Sequence, residues 1–291
     1  LHDALPISLT CLGLYGDSGM GSPLVYLALR GAARAHLLQS EAHYRAALAS
    51  RQVVHGVPRP TIYGGNQLMS YCVGYDCRVL LPPFFPVLRN TDGVFVATLR
   101  RCLPDRYLSM LPYAVEHAPA EPRAHALPGL WEHFAGRLEL NLLLMMLIGQ
   151  HRPLRAADAS DAEQIAALGR TLRDFGAMAP GEFDDLARLL MLRHMEQCAL
   201  ALEALLGEHK GQPAYWARDV ATFIAALRKA RSQPRGHVPS DLRAQLPPGG
   251  EMAFAQDLVL RFGELLCAWP LLWAAAPLVV AEEQDRKKAL R

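Results

Sequence analysis

GGNQLMSYCVGYDCRVLLPPFFPVLRNTDGVFVATLRRCLPDRYLSMLPYAVEH, residues Gly64–His117, is the stretch around which the rest of the chain is read. A Gly-Gly-Asn turn (Gly64, Gly65, Asn66) leads into the apolar run Leu68–Val73, which closes on Gly74-Tyr75-Asp76. A Pro-rich loop (Pro82, Pro83, Pro86) then delivers Arg89-Asn90-Thr91-Asp92-Gly93. The pattern predicts a helix from Asp92 to about Cys102 and a strand from Tyr107 to Val115 that ends on His117. An acid at a helix start and a histidine at a strand end can face one pocket. Taken alone, Asp92 reads either as a helix cap or as a catalytic base beside backbone N–H groups that favour negative charge. Arg89 reads as an anion holder or as the partner of Asp92. His117 reads as a structural residue or as a site residue.

Working toward the N-terminus, Gln52–Ile62 is extended, with β-branched Val53, Val54 and Val57, and with Pro58 and Pro60 placing it at an edge or in a loop. Ala32–Arg51 has helical spacing. Leu9–Tyr15 is a short apolar strand opening into Gly16-Asp17-Ser18-Gly19-Met20-Gly21-Ser22-Pro23. That Gly-rich loop reads as a plain turn, as a ligand-lining loop, or as the nucleophile loop of a hydrolase built on Ser18. The hydrolase reading lacks its partners: no Asp-x-x-His follows, and almost nothing precedes the serine. Residues 1–8 show neither turn nor helix logic and read as a non-native scar, which makes the chain a fragment.

Toward the C-terminus, Pro119–Pro128 is a linker by composition. Helices are expected over Gly129–Gln150, Asp161–Met178 (with Ser160 or Asp158 as cap), Pro180–Leu206, Pro213–Ser232 and Glu251–Trp269, followed by Leu271–Ala281. Gln233–Gly250 is expected as a loop with one helical turn. Leu138–Ile148 is too short to span a membrane. Leu265–Ala281 sits at the lower limit of length, is interrupted by Pro270 and Pro277 and is followed by Glu282-Glu283, so it is expected as a buried core helix or pair of helices, with a membrane contact as the lesser alternative. The histidines of this half (133, 151, 194, 209, 237) form no metal-binding pair.

The 291 residues are 51% hydrophobic and carry a net charge of +2, enough apolar sequence for a large core and no electrostatic case for nucleic acid. The six cysteines contain no C-x-x-C pair and lie in apolar runs, as buried thiols do, so a reducing cytoplasmic setting is expected.

The order Gly-Gly-Asn, apolar run, Gly-Tyr-Asp, loop, Arg-x-x-Asp, helix, strand, His resembles the second half of family-2-like glycosyltransferases with the GT-A fold. The resemblance covers roughly Leu9–Pro119. It implies that Gly74-Tyr75-Asp76 matches a Gly-Gly-Phe-Asp-like turn. It further implies that Asp92 matches the acid that deprotonates the acceptor hydroxyl, and that His117 matches a terminal histidine able to ligate a divalent ion. Thr91 stands where the family has Glu. The same resemblance implies a nucleotide-sugar donor, an unidentified acceptor, and Mn²⁺ or Mg²⁺ as cofactor. Gly65, Asn66, Arg89, Asn90 and Thr91 would line the acceptor pocket. The family's metal-binding Asp-x-Asp occurs nowhere in this chain, with Asp17 as a weaker substitute. The expected fold is therefore α/β, a truncated GT-A-like sheet over residues 9–124, followed by an all-α bundle over residues 125–291. The expected function is inverting glycosyl transfer with Asp92 as general base. A non-catalytic helical scaffold carrying a decayed transferase half is the first alternative, and the Ser18 hydrolase the second.

Overall fold

The computed structural model describes residues 6–17, 23–65, 68, 70–121, 123–154 and 159–289, with side chains to residue 279. Ser18 and Asn66 lie outside the described residues. The first strand, β1 (Ile7–Gly16), is central because Leu9, Cys11 and Leu14 bury while flanking strands pair on both sides. Its neighbours are β2 (Val53–His55), β3 (Thr61–Tyr63), β4 (Val73–Tyr75) and β5 (Tyr107–His117). The order is β2-β1-β5-β3, with β4 also on β1. β1 and β5 run parallel, from Ile7↔Tyr107 to Gly16↔His117. β2 and β4 share the other edge of β1, both antiparallel: β4 along Leu9–Cys11 and β2 along Leu14–Gly16. The β1–β5 register slips between Cys11↔Met110 and Gly13↔Ala114. Pro112 lies in the slip, where its missing N–H costs no ladder bond.

Ile7 and Ser8, among the residues read as a scar, belong to β1, and Tyr107 N–H donates to the Pro6 carbonyl at 2.9 Å. In the apolar run ending at Val73, residues 70–72 are turn and bend, and the strand begins at Val73.

α1 (Pro23–Leu27), α2 (Gly31–Leu37) and α3 (Glu41–Ala49) lie between β1 and β2. The expected single helix over Ala32–Arg51 is split because Ser40 starts a new one, accepting from His43 N–H at 3.2 Å. α4 (Thr91–Cys102) buries Val94, Phe95, Val96, Thr98, Leu99 and Cys102, and joins the sheet to the helices beyond. Those are α5 (Leu130–Ala135), α6 (Leu140–Gln150), α7 (Asp161–Gly176), α8 (Pro180–Glu208), α9 (Ala214–Arg231), α10 (Ser240–Arg243) and α11 (Glu251–Ala289). An α/β part followed by helices is what the sequence predicts. Ser160 caps α7 in a reciprocal box with Glu163, one of the two caps expected.

The helices close on the sheet part directly. Buried residues from Leu9 to Leu266 form one connected cluster. Trp216 on α9 donates Nε1–H to the Leu27 carbonyl at 3.2 Å, Tyr215 donates to the Leu38 carbonyl at 2.7 Å, and Arg45 pairs with Asp219 at 2.6 Å. Trp269 on α11 donates to the Leu81 carbonyl at 2.6 Å. The Pro- and Ala-rich segment 119–128 is pinned as well: His125 N–H donates to the Ala49 carbonyl at 2.8 Å, and Ala124 bridges Ser50.

A pH effect follows from this core. His151 is buried, with Nδ1 2.8 Å from Thr171 Oγ1 and Nε2 without a partner among the described residues. Burial first, then the charges of Arg101 and Arg170, hold its pKa below the ordinary histidine value. Burial lowers that of His194 too. With the folded pKa depressed, the unfolded chain takes up the proton first, so the contribution is full above about pH 6.5 and is lost as pH falls below it. The urea midpoint should therefore drop between about pH 7.5 and pH 5.5, and His151→Gln should drop less.

Candidate functional site

Asp92 is the second residue of α4 and is half-buried. The helix N-cap is Asn90, in the left-handed region at φ 67°, with no side-chain cap bond. Asp92 Oδ1 accepts from Gly93 N–H at 3.0 Å, and Oδ2 makes no hydrogen bond among the described residues. A cap normally reaches the N–H two or three residues on. Asp92 does not, so one oxygen stays available.

Beside it stands Tyr75, the central residue of the Gly74-Tyr75-Asp76 turn. Burial and then the Asp92 charge push the Tyr75 phenol above its ordinary pKa. Tyr75 meets Phe84 edge-on (6.0 Å) and Phe95 edge-on (6.1 Å), while Phe84 and Phe95 stack at 4.4 Å. Phe95 is buried; Phe84 is 37% exposed. The result is an aromatic platform with an open face next to a carboxylate. Tyr75 also lines an open groove of about 410 Å³ with Ser8, Thr10, Gly74, Asp76 and Arg78. Asp76 and Arg78 form a paired rim at 2.8 and 2.9 Å, and the Arg78 contact holds the Asp76 carboxyl below its ordinary pKa.

The loop leading to Asp92 is built by a residue the sequence did not nominate. Asn141, 0% exposed in the apolar run of α6, donates from Nδ2 to the Val87 carbonyl at 3.2 Å and to the Arg89 carbonyl. Leu88 (φ 64°) and Asn90 (φ 67°) are both left-handed around Arg89, a costly geometry for leucine that needs an external hold. The signal was legible in outline: one amide inside Leu-Asn-Leu-Leu-Leu-Met-Met-Leu-Ile requires a partner when buried. Phe84, in Pro-Pro-Phe-Phe-Pro, was likewise passed over.

The remaining nominated residues lie elsewhere. Arg89 faces a second cavity of about 360 Å³ with His133, Arg137, Glu139 and Asp241. Thr91 and Asn90 form the turn itself. Gly65 accepts from Arg100 Nε at 3.3 Å near the far end of α4, about 12 Å along the helix from Asp92. His117 pairs in register with Gly16, and its ring meets Tyr71 at 5.7 Å. Tyr75 pairs with Leu9, seven residues earlier on β1, so His117 is roughly 23 Å along the strand from the Asp92 neighbourhood. The structure does not bring Asp92 and His117 into one pocket.

Asp17 is 1% exposed and engaged by two arginines. Arg51 Nε donates to Oδ1 at 3.1 Å; Arg123 donates Nε to Oδ2 at 2.9 Å and Nη2 to Oδ1 at 3.0 Å. Gly16 before it has φ 99°, and a Cβ there would lie 2.4 Å from the His117 carbonyl oxygen. These bonds tie the carboxyl end of β1 to the link between α3 and β2 and to the 119–128 segment. Asp17→Asn should lower stability by about 1–2 kcal/mol, since both arginines keep some solvent; chemical denaturation reads it.

Among the described residues no three His, Cys, Asp or Glu are grouped to hold a metal ion. Asp17 is committed to Arg51 and Arg123, and among the described residues no carboxylates group with His117. Comparison with models of known protein families, with curated proteins and with solved structures finds no match to this chain.

Proposed function

We propose that the chain carries the acceptor-activating part of a GT-A-like glycosyltransferase, with Asp92 as general base. The supporting observation is that Tyr75, at the end of β4, lies near enough to Asp92 to feel its charge and is part of an aromatic platform with Phe84 and Phe95. Asp92 would take the proton from an acceptor hydroxyl as its oxygen forms the bond to the anomeric carbon. The bond to the donor's diphosphate breaks, and the nucleoside diphosphate leaves with the electron pair. Phe84 and Tyr75 would pack against the apolar face of a sugar-like acceptor. Any divalent ion would need ligands other than Asp17 and His117, and no step is assigned to it here. The setting proposed remains cytoplasmic.

The rival reading, a non-catalytic interaction protein, is favoured by the commitment of Asp17 to ion pairs and by the separation of His117 from Asp92. A nucleotide-sugar binding and turnover screen with Mn²⁺, on the longest product containing this chain, separates the two. Turnover that requires Asp92 supports the transferase. No binding to any nucleotide-sugar overturns it.

A further inference from the structure

The C-terminal helix changes character midway. From Glu251 to Leu266, α11 is an ordinary amphipathic helix: Ala255, Val259, Phe262 and Leu266 are buried at helical spacing against the bundle. From Cys267 to Ala281 the sequence CAWPLLWAAAPLVVA contains no charged residue. Cys267 still packs on α7, and Trp269 and Trp273 pack partly against the body, but from Leu271 most side chains are uncovered: Leu271 is 76% exposed, Leu278 68%, and 274–279 are exposed throughout. Over the most apolar window of Glu251–Val279, mean hydropathy is 1.5 and only 17% is buried. The expectation of a buried core helix does not hold for this half.

Which occupant fits is decided by the distribution of the apolar residues. Leu271 and Leu272 are consecutive, as are Leu278 and Val279, so they point about 100° apart and all sides of the helix are apolar. A protein groove covers one stripe of a helix and leaves its back polar; an all-round apolar helix that is not core matches hydrocarbon. Trp269 and Trp273, one turn apart with rings 6.1 Å from each other, sit where the helix leaves the body, as aromatic residues do at a membrane interface. Pro270 and Pro277, costly inside a water-exposed helix, are better tolerated within a bilayer. Leu271–Ala281 is roughly 16 Å of helix, about half of a hydrocarbon core of about 30 Å, which suits insertion into one leaflet.

We propose that the Leu271–Ala281 end of α11 inserts into a lipid bilayer and anchors the protein with Trp269 and Trp273 at the interface. This inference stands whether or not the transferase reading does. The test is flotation of the full chain with phosphatidylcholine vesicles, with and without phosphatidylglycerol. The wild type should float with both compositions. Leu272→Glu/Leu278→Glu, placed at exposed positions, should partition at least about tenfold less while melting as the wild type does. A second measurement needs no variant: lipids brominated on the acyl chain should quench part of the tryptophan emission. Three outcomes overturn the proposal: a wild type that stays with the soluble fraction, a double variant that floats equally, or emission unaffected by brominated lipid. Self-association in buffer that the double variant abolishes, without flotation of the wild type, would identify a second copy as the occupant instead.

Discussion

Asp92→Asn should reduce nucleotide-sugar turnover by about 10²–10⁴-fold, the range that a positioned general base contributes. Binding of the donor should be retained, because Asp92 is placed for the acceptor. The substitution is close to isosteric, and its one hydrogen bond, to Gly93 N–H at 3.0 Å, can be kept by the asparagine oxygen. Folding should therefore be little affected. That separation makes the result interpretable: lost turnover with unchanged melting assigns the base, whereas an equal loss of stability and turnover makes Asp92 a structural residue of the α4 start. Phe84→Ala offers a second reading of the same site. It removes the exposed face of the platform and should weaken acceptor use more than donor binding.

Gly263→Val should destabilise the fold by about 3 kcal/mol, the upper part of the overpacking range. α7 and α11 cross with their backbones nearly touching. A Cβ on Gly263 would lie 2.6 Å from Arg173 N and 2.7 Å from Gly169 O; one on Gly169 would lie 2.7 Å from Gly263 O; one on Gly176 would lie 2.6 Å from Leu260 Cα. The obstructing atoms are mostly backbone, so the helices must move apart, and Ile165, Leu168, Leu172, Val259 and Leu266 lose packing with them. Gly207→Ala is the opposite case. Nothing lies within 4 Å of a Cβ there, and the change should stabilise α8 by up to about 1 kcal/mol through helix propensity. Denaturant midpoints of the two variants should move in opposite directions. If Gly263→Val does not fall, the α7–α11 crossing is not as close as described.

Local pattern carried far in this chain. Helical spacing and Gly or Pro punctuation marked α4, α7, α8 and α9 to within a few residues, and alternation followed by a histidine marked β5. Signals of this kind are written in neighbouring residues: Ser160 three before Glu163, Pro180 at a helix start, Gly207 near a helix end. Where a local signal was overlooked, an element was miscounted. Ser40 divided the helix expected over Ala32–Arg51, and the Gly129–Gln150 helix became α5 and α6 with Gly136 between them.

The site was legible only in pieces. Asp92 at the start of a helix followed from Arg-Asn-Thr-Asp-Gly; its nearness to Tyr75 had no signal in the sequence. That Asp17 would be held by Arg51 and Arg123, or that Asn141 would hold the Val87 and Arg89 carbonyls, had no local signature, because each pair is made by partners 34 to 106 positions apart. His117 and Asp92 looked like one pocket in sequence because one stands at the start of a helix and the other at the end of the strand that follows it. Strand rise separates them: about 3.3 Å per residue carries β5 well past the end of α4, whose rise is about 1.5 Å.

What the residues dictated alone is the kind of each segment: strands where β-branched and apolar residues run short, helices where they recur at 3.6, and an uncharged rod from Cys267 to Ala281. Which surfaces meet was decided in three dimensions. Apolar residues of α11 bury up to Leu266, where α7 supplies a glycine-lined face, and most are exposed from Leu271 to Val279. Hydrophobicity sets the drive to leave water, but burial also requires a complementary surface within reach, and that is a property of the packed chain.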